Sequence, residues 1–316
     1  MKPDIYQIIT DKFIKQLEKG TVPWRKPWIE TMNIVSRQPY HGANVFTLAC
    51  EERESPWWMT YKQANDLGGN IKRGEKSTPV IYWQMQELKD RQGITMLDSS
   101  GRPKIIPFIR WSSVFNIDQT ENIKAPELAK DVATVPLTAL EKAQEILVKA
   151  DVCELKIMIN GQNNRAVYIP SQDAIEVPSM KRFPNKAEYY HIVYHELTHA
   201  TGHASRLNRE GITEKIVKGS EKYAKEELIA ELGASFLSNK AGILGDVQFQ
   251  NSAAYLKSWI EALQNNPKMI VGACAAAQKA SQYIEGERDN TREQIKDMIT
   301  GMSAENEHKK TLTNER

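Results

Sequence analysis

The stretch YHELTHATGH, residues 194–203, sets histidines at 195, 199 and 203. Side chains four residues apart stack on one face of an α-helix, so this spacing brings the rings together only if the segment is helical. Val193, Leu197 and Ala200 supply the apolar stripe, and at about 100° per residue His195 and His199 fall near the opposite side. Two imidazoles one turn apart can grip a single metal ion. Glu196 stands at the edge of that face, beside the ion and not on it. A general base needs that place, within reach of a water made acidic by Zn2+ or another divalent metal. The segment therefore predicts His195 and His199 as metal ligands and Glu196 as the catalytic base.

A catalytic site of this kind needs a third protein ligand. His203 is two turns from His195, too far along an unbroken helix to share the ion. It is expected to orient a ligand, to face the substrate or to end the helix. The better source is KEELIAELGASFL, residues 225–237, where Leu228, Leu232 and Phe236 form an apolar stripe. Glu227 and Glu231 fall on the other side, beside Ala230 and Ala234, which are small enough for a close approach between helices. Glu226 reads as a solvated charge. The segment resembles the gluzincin peptidases, whose metal glutamate heads an E-x-x-A pattern on a later helix. In the frame ELIAE the resemblance makes Glu227 the ligand and leaves Glu231, one turn on, to orient a histidine. In the frame ELGA it makes Glu231 the ligand. Only the first frame keeps a carboxylate at i+4, so Glu227 is preferred. Tyr223 and Arg206 are the candidates for a further oxyanion donor. The strands AVYI and AIEVP are the candidates to lie along an extended peptide.

The two halves of the chain differ in texture. Six of the seven tryptophans (24, 28, 57, 58, 83 and 111) lie in the first 111 residues, which Pro and Gly cut into short pieces. The expected elements are an N-terminal helix carrying Ile5, Ile9, Phe13 and Leu17, helices near 44–54 and 60–67, and strands in VIYWQMQEL and IIPFIRWSSVF. Residues 118–136 lose aromatics and gain charge and proline, as a linker does. Beyond them a helix, LTALEKAQEILVKA, leads to the strands LKIMI, AVYI and AIEVP. Helices follow near 186–202, 221–241, 250–265 and 267–287. From Arg288 the chain is polar without apolar periodicity, so 288–316 reads as a mobile tail.

Net charge is +2 overall, but residues 1–118 carry 17 Lys/Arg against 13 Asp/Glu. Cations interleaved with aromatic rings are the chemistry of single-stranded nucleic-acid binding, in which rings stack on bases and cations track phosphates. PWRKPW, with Trp24, Arg25 and Lys26, has that texture. So does the stretch 57–83, where Lys72, Arg73 and Lys76 surround a turn at Gly74. The same tryptophans are also what a domain of this size needs for its core. Cys50, Cys153 and Cys274 are scattered and odd in number, which fits neither a disulfide framework nor a cysteine metal cluster. The first twenty residues read as an amphipathic helix and not as a signal peptide. The longest apolar run, MIVGACAAA, is too short to span a bilayer. A soluble, cytoplasmic protein is expected.

Taken with PWRKPW, YHGAN, WWMTYKQANDLGGNIKRGEKS, VFNIDQ, HELTHATGH, EELIAELGASFL and AAYLKSWIEAL, the whole resembles the ArdC-type antirestriction proteins of conjugative plasmids. The resemblance covers most of residues 5–285. It implies an α+β protein of two domains: a single-stranded-DNA-binding domain at 1–118 and, after a linker at 119–136, a zincin-like, gluzincin-type metallopeptidase domain at 137–287. It also implies protection of incoming plasmid DNA from restriction during conjugation, with single-stranded DNA and an unidentified protein substrate as partners. The alternative from another class is a DNA-shielding protein whose metal site is structural or idle.

Overall fold

The structure, a computed structural model, describes residues 4–25, 30–90, 92–99, 101–126, 138–152, 155, 157–159, 165–214, 217, 219–247 and 253–287. The expected tail at 288–316, most of the expected linker, Lys26, Trp28 and Cys153 lie outside these residues. The order of elements is α1 (Ile5–Glu18), β1 (Met32–Asn33), α2 (Ala43–Ala49), β2 (Trp57–Thr60), α3 (Tyr61–Asp66), β3 (Asn70–Ile71), β4 (Thr78–Glu87), β5 (Ile105–Asn116) and β6 (Thr120–Glu121). There follow α4 (Ala139–Val152), β7 (Ile157–Ile159), β8 (Val167–Ile169), β9 (Ala174–Val177), α5 (Lys186–Ala200), α6 (Glu210–Thr213), α7 (Glu221–Ala241), α8 (Ala253–Asn265) and α9 (Met269–Ile284). The expected elements are present. The helix expected at 44–54 is shorter, because the chain leaves helical geometry at Glu52, where φ is +51°.

Contacts divide the described residues into two units that are not contiguous in sequence. One unit holds the described residues of 1–136, 219–228 and 244–275; the other holds those of 137–218, 229–243 and 276–316. The physical reason lies in α8, which packs on α1. Thr10 Oγ1 donates to Pro267 O at 2.6 Å, and the fully buried Trp24 meets Trp259 edge-on at 5.4 Å between ring centroids. The division falls inside α7, which is one unbroken helix.

In the first unit, Asp4 caps α1 by accepting from Tyr6 N at 3.0 Å, and Ile5, Ile9, Phe13 and Leu17 are buried at the expected spacing. A four-stranded sheet runs β1-β2-β5-β4, with β1 parallel to β2 and the other pairs antiparallel. Thr60 and Gln63 form a reciprocal cap at the start of α3, satisfying two helix-terminal donors at once. Trp57 and Trp58 point to opposite sides of β2, as the pleat requires, and each enters its own buried cluster. Among the described residues, Cys50 and the buried Cys274 form no disulfide.

The second unit has a three-stranded sheet, order β7-β9-β8, with β7 parallel and β8 antiparallel to β9. The strand AIEV is therefore central, and AVYI forms an edge. Asn185 caps α5 by accepting from Glu188 N at 2.9 Å, which fixes where the histidine helix begins. Tyr194 OH donates to Ala143 O at 2.9 Å and ties α5 to α4. No described helix is long and apolar enough to cross a membrane.

Candidate metal centre

His195 and His199 project from adjacent turns of α5, their rings edge to face with centroids 4.8 Å apart. Glu227, in the first half of α7, brings a carboxylate to them. One ligand atom from each of the three lies within 4.8 Å of the others. Two imidazole nitrogens and one carboxylate oxygen suit Zn2+, and imidazole and carboxylate also bind Mn2+. The donor set fits a divalent ion. Glu231 Oε2 stands 3.7 Å from His195 Nδ1, one turn along α7 from Glu227. His203 lies elsewhere, with Nδ1 2.8 Å from Ser205 Oγ and 3.9 Å from Asp173 Oδ2.

Glu196 is half-buried on the same turn as His195, and its Oε2 accepts the backbone N–H of Tyr168 at 2.7 Å. That amide belongs to the edge strand β8 and points away from β9. The carboxylate is thus oriented by main chain. A polar cluster outside the expected site fixes this part of β8. Tyr168 OH donates to Asp173 Oδ1 at 2.9 Å, and Arg206 forks onto Asp173, with Nη1 2.9 Å from Oδ2 and Nη2 on Oδ1. Arg206 Nε donates to Ala200 O at 2.8 Å, satisfying a carbonyl at the end of α5. Hydrogen bonding from Arg206 holds the Asp173 carboxyl below the usual carboxylate range, while burial and the neighbouring carboxylate push the Tyr168 phenol up. Arg206, a candidate oxyanion donor, is thus engaged with Asp173 and Ala200. Asp173 sits at φ +47°, a conformation that Asp tolerates better than most residues.

One helix reading needs correction. The middle turns of α7 have no solvent side: Leu228, Ile229, Ala230, Glu231, Leu232, Ala234 and Ser235 are all buried. Glu226, expected as a solvated charge, is 4% exposed. A two-faced pattern marks a helix packed on one side; the small residues here let neighbours close in all round. The closest approach is at Gly233, where an added Cβ would lie 2.5 Å from Thr198 Oγ1 and 2.6 Å from its Cγ2. Gly233→Ala is expected to cost about 1–3 kcal/mol of stability by forcing α7 from α5. It should also weaken Mn2+ binding, readable by thermal unfolding with and without the ion. Sequence reasoning also missed His191, one turn before His195, although the i+4 spacing extends back to it. It is buried, with Nδ1 2.9 Å from Ser238 Oγ on α7.

The expected nucleic-acid residues scatter. Trp24 has no exposed surface, so its ring is closed to stacking, and that expectation is corrected: the ring fills the space between α1 and α8. Arg25 is half-buried, its guanidinium 5.4 Å from the Trp259 ring centroid. Lys72, Arg73 and Lys76 are exposed around Gly74, whose φ is +89°, and Lys72 Nζ donates to Asp118 O at 2.8 Å.

A helix bearing two metal-spaced histidines, a glutamate from a later helix and a carboxylate held by main chain are what a zincin-like metallopeptidase domain carries. The family described as "Zincin-like metallopeptidase" matches residues 143–277, and the family described as "N-terminal domain of anti-restriction factor ArdC" matches residues 3–115. The crystal structure of the antirestriction ArdC protein from plasmid R388, metal-free, is 34% identical with a TM-score of 0.70, covering 90% of this chain and 97% of that one. Its Mn(II)-bound structure is 32% identical with a TM-score of 0.70, covering 91% and 99%. This chain belongs to the ArdC family of antirestriction proteins. Two Escherichia coli proteins described as DNA primase TraC are each 36% identical over 90% of this chain. The chain spans only 27% and 20% of their lengths.

Proposed function

We propose that this protein acts in the cytoplasm as an antirestriction factor. Its first domain holds single-stranded DNA, and its second cleaves a host protein associated with restriction. The convergence of His195, His199 and Glu227 beside an oriented Glu196 supports the enzymatic half of this reading most strongly. A purely structural metal site has no use for a base beside the ion. The ion, Zn2+ or another divalent metal, would be held by His195, His199 and Glu227 and supplies Lewis acidity toward an amide carbonyl. Glu196 accepts a proton from the attacking water and returns it to the leaving nitrogen. The Tyr168 amide keeps one oxygen of Glu196 in place during both transfers. The Glu231 carboxylate, 3.7 Å from His195 Nδ1, favours the tautomer protonated there, which would leave Nε2 to hold the ion. As the edge strand beside Glu196, β8 is a strand that an extended peptide can join.

The test is transfer of an unmodified plasmid into a restricting recipient, with wild-type or Glu196→Gln protein at matched levels. Protection is expected to disappear with the variant while its metal content and DNA binding stay unchanged. Undiminished protection would assign the biology to DNA shielding, with an idle metal site.

A further inference from the structure

From Ser113 back to Ile105, β5 has β4 as its only partner strand among the described residues, since β2 pairs with Val114, Phe115 and Asn116. The pairs from Tyr82↔Arg110 to Glu87↔Ile105 thus form a two-stranded ribbon, and residues 82–87 are exposed without exception. Six residue pairs give an arm of roughly 20 Å. A solvated ribbon would ordinarily be polar on both faces; this one is not. Trp83 is 56% exposed and Trp111 43%, with Tyr82, Met85, Ile105, Ile106 and Phe108 also exposed.

The register distributes these side chains with cations. Trp111 lies opposite Ile81, and Trp83 opposite Ile109, so the two indoles are diagonal neighbours on one face. On the other face Arg110 is opposite Tyr82, stands 5.0 Å from the Phe108 centroid and donates from Nε to Gln84 Oε1 at 3.2 Å. Exposed Lys89, Arg102 and Lys104 lie at the far end, and exposed Lys72, Arg73 and Lys76 at the foot of β4. Two of the acids along the arm serve its turns, Asp90 Oδ1 accepting from Gln92 N and Ile94 N and Asp98 Oδ1 from Arg102 N, while exposed Glu87 accepts from Thr95 Oγ1 at 3.0 Å.

Charge selects the occupant. Residues 72–111 carry eight Lys/Arg against four Asp/Glu, whereas the rest of 1–118 carries nine against nine. By sequence position, the entire basic excess of residues 1–118 falls in 72–111. A second copy of the chain would bring like charge onto like charge, whereas a polyanion with flat apolar faces satisfies both features at once. We infer that the β4–β5 arm is the surface that binds single-stranded nucleic acid, with Trp83 and Trp111 as stacking platforms and Arg110 and Lys104 on phosphates. This rests on the reading of the first domain as a single-strand binder.

The experiment measures fluorescence anisotropy of a labelled oligothymidylate of about 15 nucleotides, within the site sizes of comparable modules. It uses the full chain as wild type, Trp83→Ala/Trp111→Ala, Trp83→Phe/Trp111→Phe and Lys104→Gln/Arg110→Gln. These side chains are exposed, and circular dichroism checks that each variant folds. The alanine pair is expected to bind about 10- to 100-fold more weakly, while the phenylalanine pair keeps most of the affinity. The glutamine pair should lower the salt slope by about 1.4. Wild-type binding matched by the alanine pair would overturn the assignment of the arm, whether or not the arm then proved to bind a protein. A wild-type chain that bound no oligonucleotide would instead overturn the underlying reading, and this inference with it.

Discussion

The Glu196→Gln protein is expected to bind divalent metal as the parent does and to hydrolyse peptide about 10²- to 10⁴-fold more slowly. The change is nearly isosteric, and the amide oxygen can still accept the Tyr168 N–H that now meets Oε2 at 2.7 Å. The three ligand residues are untouched. What is lost is basicity: an amide cannot take a proton from water at neutral pH. Cleavage of an unfolded protein such as reduced casein, with Mn2+ or Zn2+ added and metal content measured in parallel, separates binding from turnover. Equal rates for the two proteins would remove Glu196 from the mechanism. Loss of the metal along with the rate would mean that the carboxylate supports the ligand geometry itself.

The second large effect belongs to Trp24. Trp24→Ala is expected to destabilise the protein by about 3–5 kcal/mol, because it empties a volume enclosed by Phe13 and Trp259. That corresponds to a fall of roughly 10 °C in Tm for a unit of this size. Trp24→Phe should cost much less. The indole Nε1 is buried and finds no acceptor among the described residues, so removing it forfeits no hydrogen bond. Thermal unfolding of both variants reads the difference. Oligonucleotide binding by the Phe variant should match wild type, whereas a selective loss of binding at unchanged Tm would return this ring to the DNA surface.

Trp24 also shows why part of the protein was legible in sequence and part was not. Local periodicity carries the helices well: Ile5, Ile9, Phe13 and Leu17 announce α1, and the four-residue spacing of His195 and His199 announces both a helix and its chemistry. The third candidate ligand was within reach because Glu227 and Glu231 are separated by one turn of a single helix. Tertiary partners leave no such local mark. Nothing in PWRKPW reveals that its first tryptophan meets Trp259, 235 residues later, and that single contact decides between core and binding surface. Glu226 was misread for the same reason, since a periodic pattern shows a helix's own faces and not how many neighbours close on it. The anchoring of β8 through Tyr168, Asp173 and Arg206 joins a strand, a turn and a helix end with no shared motif. Aromatic residues were a fair guide to nucleic-acid chemistry, but texture could not say which of them face water.

The contact between Glu196 and the Tyr168 amide has a consequence for how this protein can vary. A side-chain donor is lost in most substitutions; a main-chain donor survives every one of them but proline, which has no N–H. Drift at position 168 can therefore alter the neighbourhood of the base while leaving its hydrogen bond in place. The identity of the residue there is a poor guide to whether the site is intact, and the path of the backbone through β8 is the better one.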